Sequence, residues 1–231
     1  FMATNHHYIM FFTNTGRCFR IKAYNIPEAS RTSRGTALVN LLQLGPDEHV
    51  TASFALKDDY PSSDQYLLLA TKNGMVKKTP IADYANIRKT GLIAMTLRDD
   101  DQLIEAKLID AGEDVMIGTR NGMAIRFNES DVRVTGRSSM GVRGISLDAD
   151  DEVIGMQKLS QGDYVLVVSE KGMGKLTHVD EFKAQKRGGK GLHCYRITEK
   201  TGKLVGFKLT AKEREIMLIT NEGVIIRMSL K

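Results

Sequence analysis

The sequence predicts an all-β chain built as a propeller-like array of four-stranded blades, and three observations carry that prediction. A segment of about fifty residues repeats along the chain; each repeat carries two glycines at a nearly fixed offset; and apolar residues alternate with period two, with no helical i, i+3, i+4, i+7 pattern sustained over three turns. Repeats of 40 to 50 residues with four strands each suit radial packing, which buries both faces of every blade and leaves only short edges.

Each repeat opens on a strand-like run closed by a polar turn: "YIMFFTNTG", "YLLLATKNG", "VMIGTRNG", "YVLVVSEKG" and "IMLITNEG". The closing glycines are Gly16, Gly74, Gly122, Gly172 and Gly223, spaced by 58, 48, 50 and 51 residues. A short second run follows, "CFRIKAY", "MVKKT", "MAIRF" or "MGKLT". Next come a polar loop and a second glycine, Gly35, Gly91, Gly141 or Gly191, which lies 19, 17, 19 or 19 residues beyond the first. A third run, "TALVNL", "LIAMTL", "VRGISL" or "LHCYRI", and a fourth, "VTASFAL", "LIEAKLI", "VIGMQKL" or "LVGFKL", complete the unit. The repeats fall at 8–56, 66–110, 114–159 and 164–209, with a partial fifth at 215–231, so residues 1–231 read as one domain of an array of five or six blades.

A 231-residue chain with 42% hydrophobic content has enough apolar material for a core. Its two cysteines, Cys18 and Cys194, are 176 positions apart and support neither a disulfide framework nor a zinc knuckle, so a reducing cytoplasm is the expected compartment. Apolar runs such as "YIMFF" have the length of strands and not of membrane helices. A chain that begins at Phe1 is expected to be a fragment.

The net charge of +5 is unevenly distributed. The four segments between first and second glycines hold 17 Lys and Arg against 6 Asp and Glu, so those 78 residues carry +11 and the remaining 153 carry −6. The acids gather before the fourth run, in "LGPDEH", "LRDDDQ" and "LDADDE". Because one position in a repeat maps to one latitude of an array, the basic loops predict a band suited to a long polyanion. Its members are Arg31, Arg34, Arg88, Lys89, Arg133, Arg137, Lys186, Arg187 and Lys190. A second row lies four residues after the first glycine, at Arg20, Lys78, Arg126 and Arg227, with Leu176 interrupting it. The apolar residues Ile26, Tyr84, Val132 and Phe182 precede the basic loops as plugs that hold them on the core.

The loop "AQKRGGKGL" at 184–192 concentrates this pattern. Gly188 and Gly189 remove side chains, which admits positive φ and lets backbone N–H groups approach a phosphate, while Lys186, Arg187 and Lys190 supply charge. A tight turn that is incidentally basic is the simpler alternative.

The run "QKRGGKG" at 185–191 resembles the seven-residue box of the DNA gyrase A C-terminal domain family, within the type II topoisomerases. Other runs are similar to the same family, among them "PEASRTSRGTALVNLL" (27–42), "TKNGMVKKT" (71–79), "NIRKTGLIAMTLRDDD" (86–101), "NGMAIRFNESDVR" (121–133) and "GRSSMGVRGISLDADD" (136–151). The resemblance implies a six-bladed β-pinwheel that wraps double-stranded DNA. It implies as partners the N-terminal part of gyrase A and gyrase B in a holoenzyme that supercoils DNA with ATP and magnesium. In the family the box belongs to the first blade, whereas here the closest run stands in the fourth repeat. Repeat order therefore places the principal box upstream of Phe1 and makes 185–191 a box-like copy.

Signals for other chemistry are weak. Asp148, Asp150, Asp151 and Glu152 could suggest magnesium, but Asp99, Asp100 and Asp101 fill the same slot of another repeat, as expected of a solvated acidic turn. His6 and His7 suit an exposed terminus, and His49, His178 and His193 have no partner at ligand spacing. No GxSxG and no GxxxxGK[ST] occurs. Tyr8, Tyr66 and Tyr164 stand at strand starts as packing residues, so no catalytic residue, metal or cofactor is expected in this domain, which is expected to be monomeric in isolation. The expected function is binding, bending and wrapping of duplex DNA without sequence readout. The alternatives are the weakly wrapping C-terminal domain of the topoisomerase IV A-type chain and a protein-interaction propeller, the WD40 version of which the absence of tryptophan disfavours.

Overall fold

The computed structural model describes residues 7–25, 41–211, 215–219 and 225–229, the last two stretches as backbone strands. Arg31, Arg34 and Ile26 lie outside the described residues. In chain order the strands are β1 (His7–Thr13), β2 (Arg17–Lys22), β3 (Val50–Lys57), β4 (Tyr66–Thr71), β5 (Met75–Pro80), β6 (Leu92–Ile93), β7 (Leu103–Ile109), β8 (Asp114–Thr119) and β9 (Met123–Asn128). They continue with β10 (Val142–Arg143), β11 (Val153–Lys158), β12 (Tyr164–Ser169), β13 (Gly174–His178), β14 (Leu192–His193), β15 (Leu204–Thr210), β16 (Glu215–Ile219) and β17 (Ile225–Ser229). Among the described residues the other named elements are short 3-10 turns, as expected of an all-β chain.

The antiparallel sheets run β3-β1-β2-β6, β10-β5-β4-β7 and β11-β8-β9-β14, with β13-β12-β15 and β16-β17 following. Four strands in each of the first three sheets agree with the sequence, but their grouping does not follow the repeat. The third runs of the second, third and fourth repeats leave their own units and close the sheet of the repeat before. Thus Leu92 and Ile93 pair with Cys18 and Arg17, Val142 and Arg143 with Val76 and Met75, and Leu192 and His193 with Ala124 and Met123.

The first glycines of the first three repeats, Gly16, Gly74 and Gly122, are the sockets for that exchange. Gly16 has φ +86°, and a Cβ there would stand 2.4 Å from the carbonyl oxygen of Met95. Its own carbonyl accepts the N–H groups of Ala94 and Met95, at 2.8 and 3.1 Å. Gly122 has the same φ and stands equally close to the carbonyl of Tyr195, while its oxygen receives Cys194 and Tyr195. Only glycine satisfies the backbone angle and the contact together.

The chain groups into two compact units, the first made of residues 1–71, 77–110 and 134–141 and the second of 72–76, 111–133 and 142–231. In the first, the inward faces of β1 and β2 bury Ile9, Phe11 and Phe19 against Leu42. In the second, Met116, Val165, Val167, Leu204 and Phe207 form a core with Val179 and Phe182. Alternation fails along β4, β8 and β12, where five consecutive residues are buried, because these strands lie inside their sheets with both faces covered.

The acidic turns also have a local cause. Asp151 accepts the backbone N–H groups of Asn121 at 2.9 Å and Glu152 at 2.8 Å, and Asp101 accepts that of Gln102. Glu48 is nearly buried and accepts the Gly45 N–H, the Thr13 and Thr15 hydroxyls and the Arg17 guanidinium. A carboxylate in this slot tethers the turn before the fourth strand to the hairpin of the first.

Candidate nucleic-acid interface

Each described basic loop leaves a buried plug, since Tyr84, Val132 and Phe182 are at most 4% exposed. It then runs to the exchanged two-residue strand at the outer edge of the preceding sheet. That placement puts polar loops where a sheet would otherwise offer an edge for aggregation.

In the first unit Arg88 and Lys89 are exposed. They line a cleft of about 500 Å³ with Arg20, Lys22, Tyr8 and Tyr24. The loop is held in place by Arg17, which donates to the Thr90 carbonyl and pairs with Glu48 at 3.0 Å. Arg137 is half-buried.

In the second unit the box-like loop is laid directly on the repeat before it. The Gly188 N–H donates to the Gly144 carbonyl at 2.7 Å, the Ser146 hydroxyl donates to the Gly188 carbonyl at 2.7 Å, and the Ser146 N–H donates to that of Gly189 at 2.9 Å. Arg187 spans the same junction, donating from Nε to the Asp131 carbonyl at 2.9 Å and from Nη1 to the Arg143 carbonyl at 3.0 Å. Lys186, Lys190 and Arg133 remain exposed, and so do Arg143 and Lys183, which the repeat pattern did not single out. Arg143 stands two residues past the second glycine, where the neighbouring repeats have Ile93 and His193, so only its place beside the box loop reveals it. Lys190 forms an ion pair with Asp148 at 3.6 Å, but both side chains are about 70% exposed, which makes the pair weak.

Two expectations are corrected by this geometry. The Gly188 N–H, expected to be open to a phosphate, is engaged by Gly144, and positive φ belongs to Gly188 at +89° and not to Gly189. Arg20, Lys78 and Arg126 of the second row, expected as further surface cations, are turned into the structure, and the side chain of Arg227 lies outside the described residues. Arg126 pairs with Asp114 at 2.9 Å and donates to the carbonyls of Val179 and Phe182. Arg20 donates to the Tyr60 hydroxyl at 2.7 Å and the Ala85 carbonyl at 2.8 Å, with its guanidinium over the Tyr8 ring. Lys78 is 5% exposed and lies over the Tyr66 ring. The arginines at this position staple the root of the following repeat's loop by its main-chain carbonyls.

The residue beside Lys78 is more deeply committed. Lys77 is 1% exposed, and its Nζ donates to the carbonyls of Ala94, Gly136 and Arg137. Burial pushes its ammonium down to about 8; the charge of Arg137 adds to this, and Cys18 and Asp83 oppose it. Burial likewise pushes the thiols of Cys18 and Cys194 up to about 12, and both are free, buried core residues.

The family described as "DNA gyrase C-terminal domain, beta-propeller" matches residues 7–57, 65–110, 113–160, 163–211 and 214–231. The chain belongs to that family. The DNA gyrase A protein of Clostridium acetobutylicum is 49% identical over 230 residues, covering 100% of this chain and 28% of the relative. That of Staphylococcus epidermidis is 41% identical over 229 residues, covering 98% and 26%. The chain therefore spans little more than a quarter of the gyrase A proteins it matches. A solved gyrase A C-terminal domain superimposes with a TM-score of 0.81 at 28% identity, covering 98% of this chain and 73% of that one. The C-terminal domain of a DNA topoisomerase IV gives 0.86 at 25% identity, covering 97% and 70%. For this gyrase C-terminal domain, four-stranded antiparallel sheets and the β-propeller class of the family agree with the reading from sequence. Among the described residues no helix is long and apolar enough to cross a membrane.

Proposed function

We propose that this gyrase C-terminal domain binds duplex DNA through its phosphates, without reading sequence, and bends it along the outer row of basic loops. The observation that carries this reading is the seating of the box-like loop on Gly144 and Ser146, which sets exposed Lys186 and Lys190 beside the loop and strand that carry Arg133 and Arg143. Cations of the third and fourth repeats then lie on adjoining segments within the second unit. Arg88 and Lys89 supply the corresponding group in the first unit, and Arg31 and Arg34 belong to the same set by sequence.

Bending 20 to 30 base pairs by 40 to 90° costs on the order of 1 to 6 kcal/mol, so contacts spread over several repeats are needed to offset it. Arg187, Gly188 and Gly189 act in this reading as the frame that presents Lys186 and Lys190, and Lys78 and Arg126 as supports beneath the loops. In the holoenzyme the wrapped segment would be offered to the N-terminal part of gyrase A and to gyrase B, whose ATP- and magnesium-dependent chemistry has no step through these residues.

The test is closure of a nicked plasmid by ligase in the presence of the 231-residue chain. A wrapping domain shifts the linking number, and an unchanged topoisomer distribution overturns the proposal. The likeness to the topoisomerase IV domain favours a second reading, binding with little wrapping. That reading predicts salt-sensitive DNA affinity with no linking-number change. With about 6 to 10 phosphates neutralised, affinity falls by roughly 10³- to 10⁵-fold between 50 and 200 mM salt.

A further inference from the structure

Segment 134–141 carries the second glycine of the third repeat and Arg137, and its main chain is held from below by one side chain. The Nζ of Lys77, inside β5, reaches the carbonyls of Gly136, at 3.2 Å, and Arg137, together with that of Ala94 just past β6. Tyr84 Oη donates to the same Ala94 carbonyl at 3.0 Å. An ammonium has three donors and no acceptor, so three carbonyls satisfy it completely. Cys18 and Asp83 act on it through their charge. The other repeats place Phe19, Ile125 and Lys175 in this slot. Phe19 and Ile125 are ordinary core residues, and Lys175 is exposed on a cleft of about 550 Å³ that it lines with Cys194. A fully buried lysine is therefore particular to the second repeat among those described. Filling the slot with an apolar side chain would serve packing alone, whereas this chain burdens its core with a charge that contacts only main chain of the loop and of the exchanged segment.

We propose that Lys77 is a positioning residue for the DNA interface: its ammonium fixes the main chain of 134–141 and thereby sets where Arg137 is presented. This rests on the DNA-binding reading above for its consequence, though not for the clasp itself. Lys77 touches no nucleic acid; it acts through the loop.

Three measurements on the 231-residue chain test it. Amine acylation of the wild-type chain near pH 8 labels exposed Lys175 and spares Lys77; equal labelling of the two overturns the clasp without any variant. Lys77→Met speeds amide exchange across 134–141 by about tenfold or more while the β1–β2 hairpin is unchanged. It also lowers DNA affinity roughly three- to tenfold, with the slope of log K against log salt reduced by about one. In an Arg137→Gln background the same substitution produces no further loss of affinity. Should Lys77→Met not fold, Lys77→Gln, which keeps a donor for one of the carbonyls, carries the same readouts. Lys175→Met, in the same slot without the clasp, leaves exchange in 134–141 unaltered. Unchanged exchange in the Lys77 variants overturns the proposal, as does a faster-exchanging loop that binds DNA with wild-type affinity and slope. If the wild-type chain fails to bind DNA at all, the DNA reading falls and the exchange result still judges the clasp.

Discussion

Arg126 Nε lies 2.9 Å from Asp114 Oδ2 across the β8–β9 hairpin, and its Nη1 extends from that pair to the carbonyls of Val179 and Phe182 at the root of the next loop. The guanidinium is spent on protein acceptors, so Arg126→Ala is expected to cost about 2–3 kcal/mol by urea unfolding. Because Arg126 meets no phosphate in this reading, the slope of log K against log salt for DNA binding, measured well below the melting temperature, should stay unchanged. A fall in that slope as large as that from an exposed lysine would restore Arg126 to the interface.

Lys186→Gln with Lys190→Gln should weaken DNA binding by a similar factor for every duplex sequence. It should also lower the salt slope by about two, one per lost phosphate contact. Thermal stability should stay within about 0.5 kcal/mol, because the Lys190 pair with Asp148 is exposed. Titrations at several salt concentrations provide the check.

Gly122→Ala and Gly112→Ala have nearly the same backbone angle, φ +86° and +84°, but different surroundings. At Gly112 nothing lies within 4 Å of the place a methyl group would occupy, and the cost should be the left-handed strain alone, about 1–2 kcal/mol. At Gly122 a Cβ would stand 2.3 Å from the Tyr195 carbonyl, and the substitution should cost more than about 3 kcal/mol and loosen β14. Equal melting temperatures for the two variants would falsify the socket role.

Glu48 links acid stability to a single turn. Burial pulls its carboxyl up, but the Thr15 hydroxyl, the Gly45 N–H, the Thr13 hydroxyl and Arg17 outweigh that and hold it below the ordinary 4.5. A lowered carboxyl pKa contributes stability that is present above the unfolded value and is lost as pH falls through the folded one. The wild-type chain should lose this contribution as pH drops below about 4.5, and Glu48→Gln, already weaker at pH 7, should show a shallower acid limb.

Cys18 and Cys194, with thiols pushed up to about 12, should resist a colourimetric disulfide reagent at pH 8 in the native protein and react together in denaturant. Prompt labelling of either thiol in the native protein would contradict its burial.

The strands and turns were legible because they depend on neighbours in sequence: a short apolar run such as 8–12 in β1, closed by a polar turn, and a glycine wherever the hairpin needs positive φ, as at Gly16 and Gly122. The exchange of β6, β10 and β14 was not legible. A two-residue strand carries too little pattern to name a partner in the preceding repeat, as Leu92 does with Cys18. Segregation of charge located the loops, and the exposed Arg88, Lys89, Arg133, Lys186 and Lys190 lie on them. What a charge count does not reveal is the direction in which a side chain turns. Arg126, Arg187 and Lys77 satisfy main-chain carbonyls of distant loops, and those acceptors leave no mark in composition. Arg31 and Arg34 lie outside the described residues.

Because the strip that seals each of the first three sheets is lent by the following repeat, none of those repeats is a detachable cassette. Excising 66–110 as one sequence unit would strip Leu92 and Ile93 from the hairpin ahead and leave Val142 and Arg143 with no edge to join. No single cut keeps every lender with its recipient, because β4 and β5 of the second sheet lie in sequence between β2 and the β6 that completes the first, and β8 and β9 lie between β5 and β10.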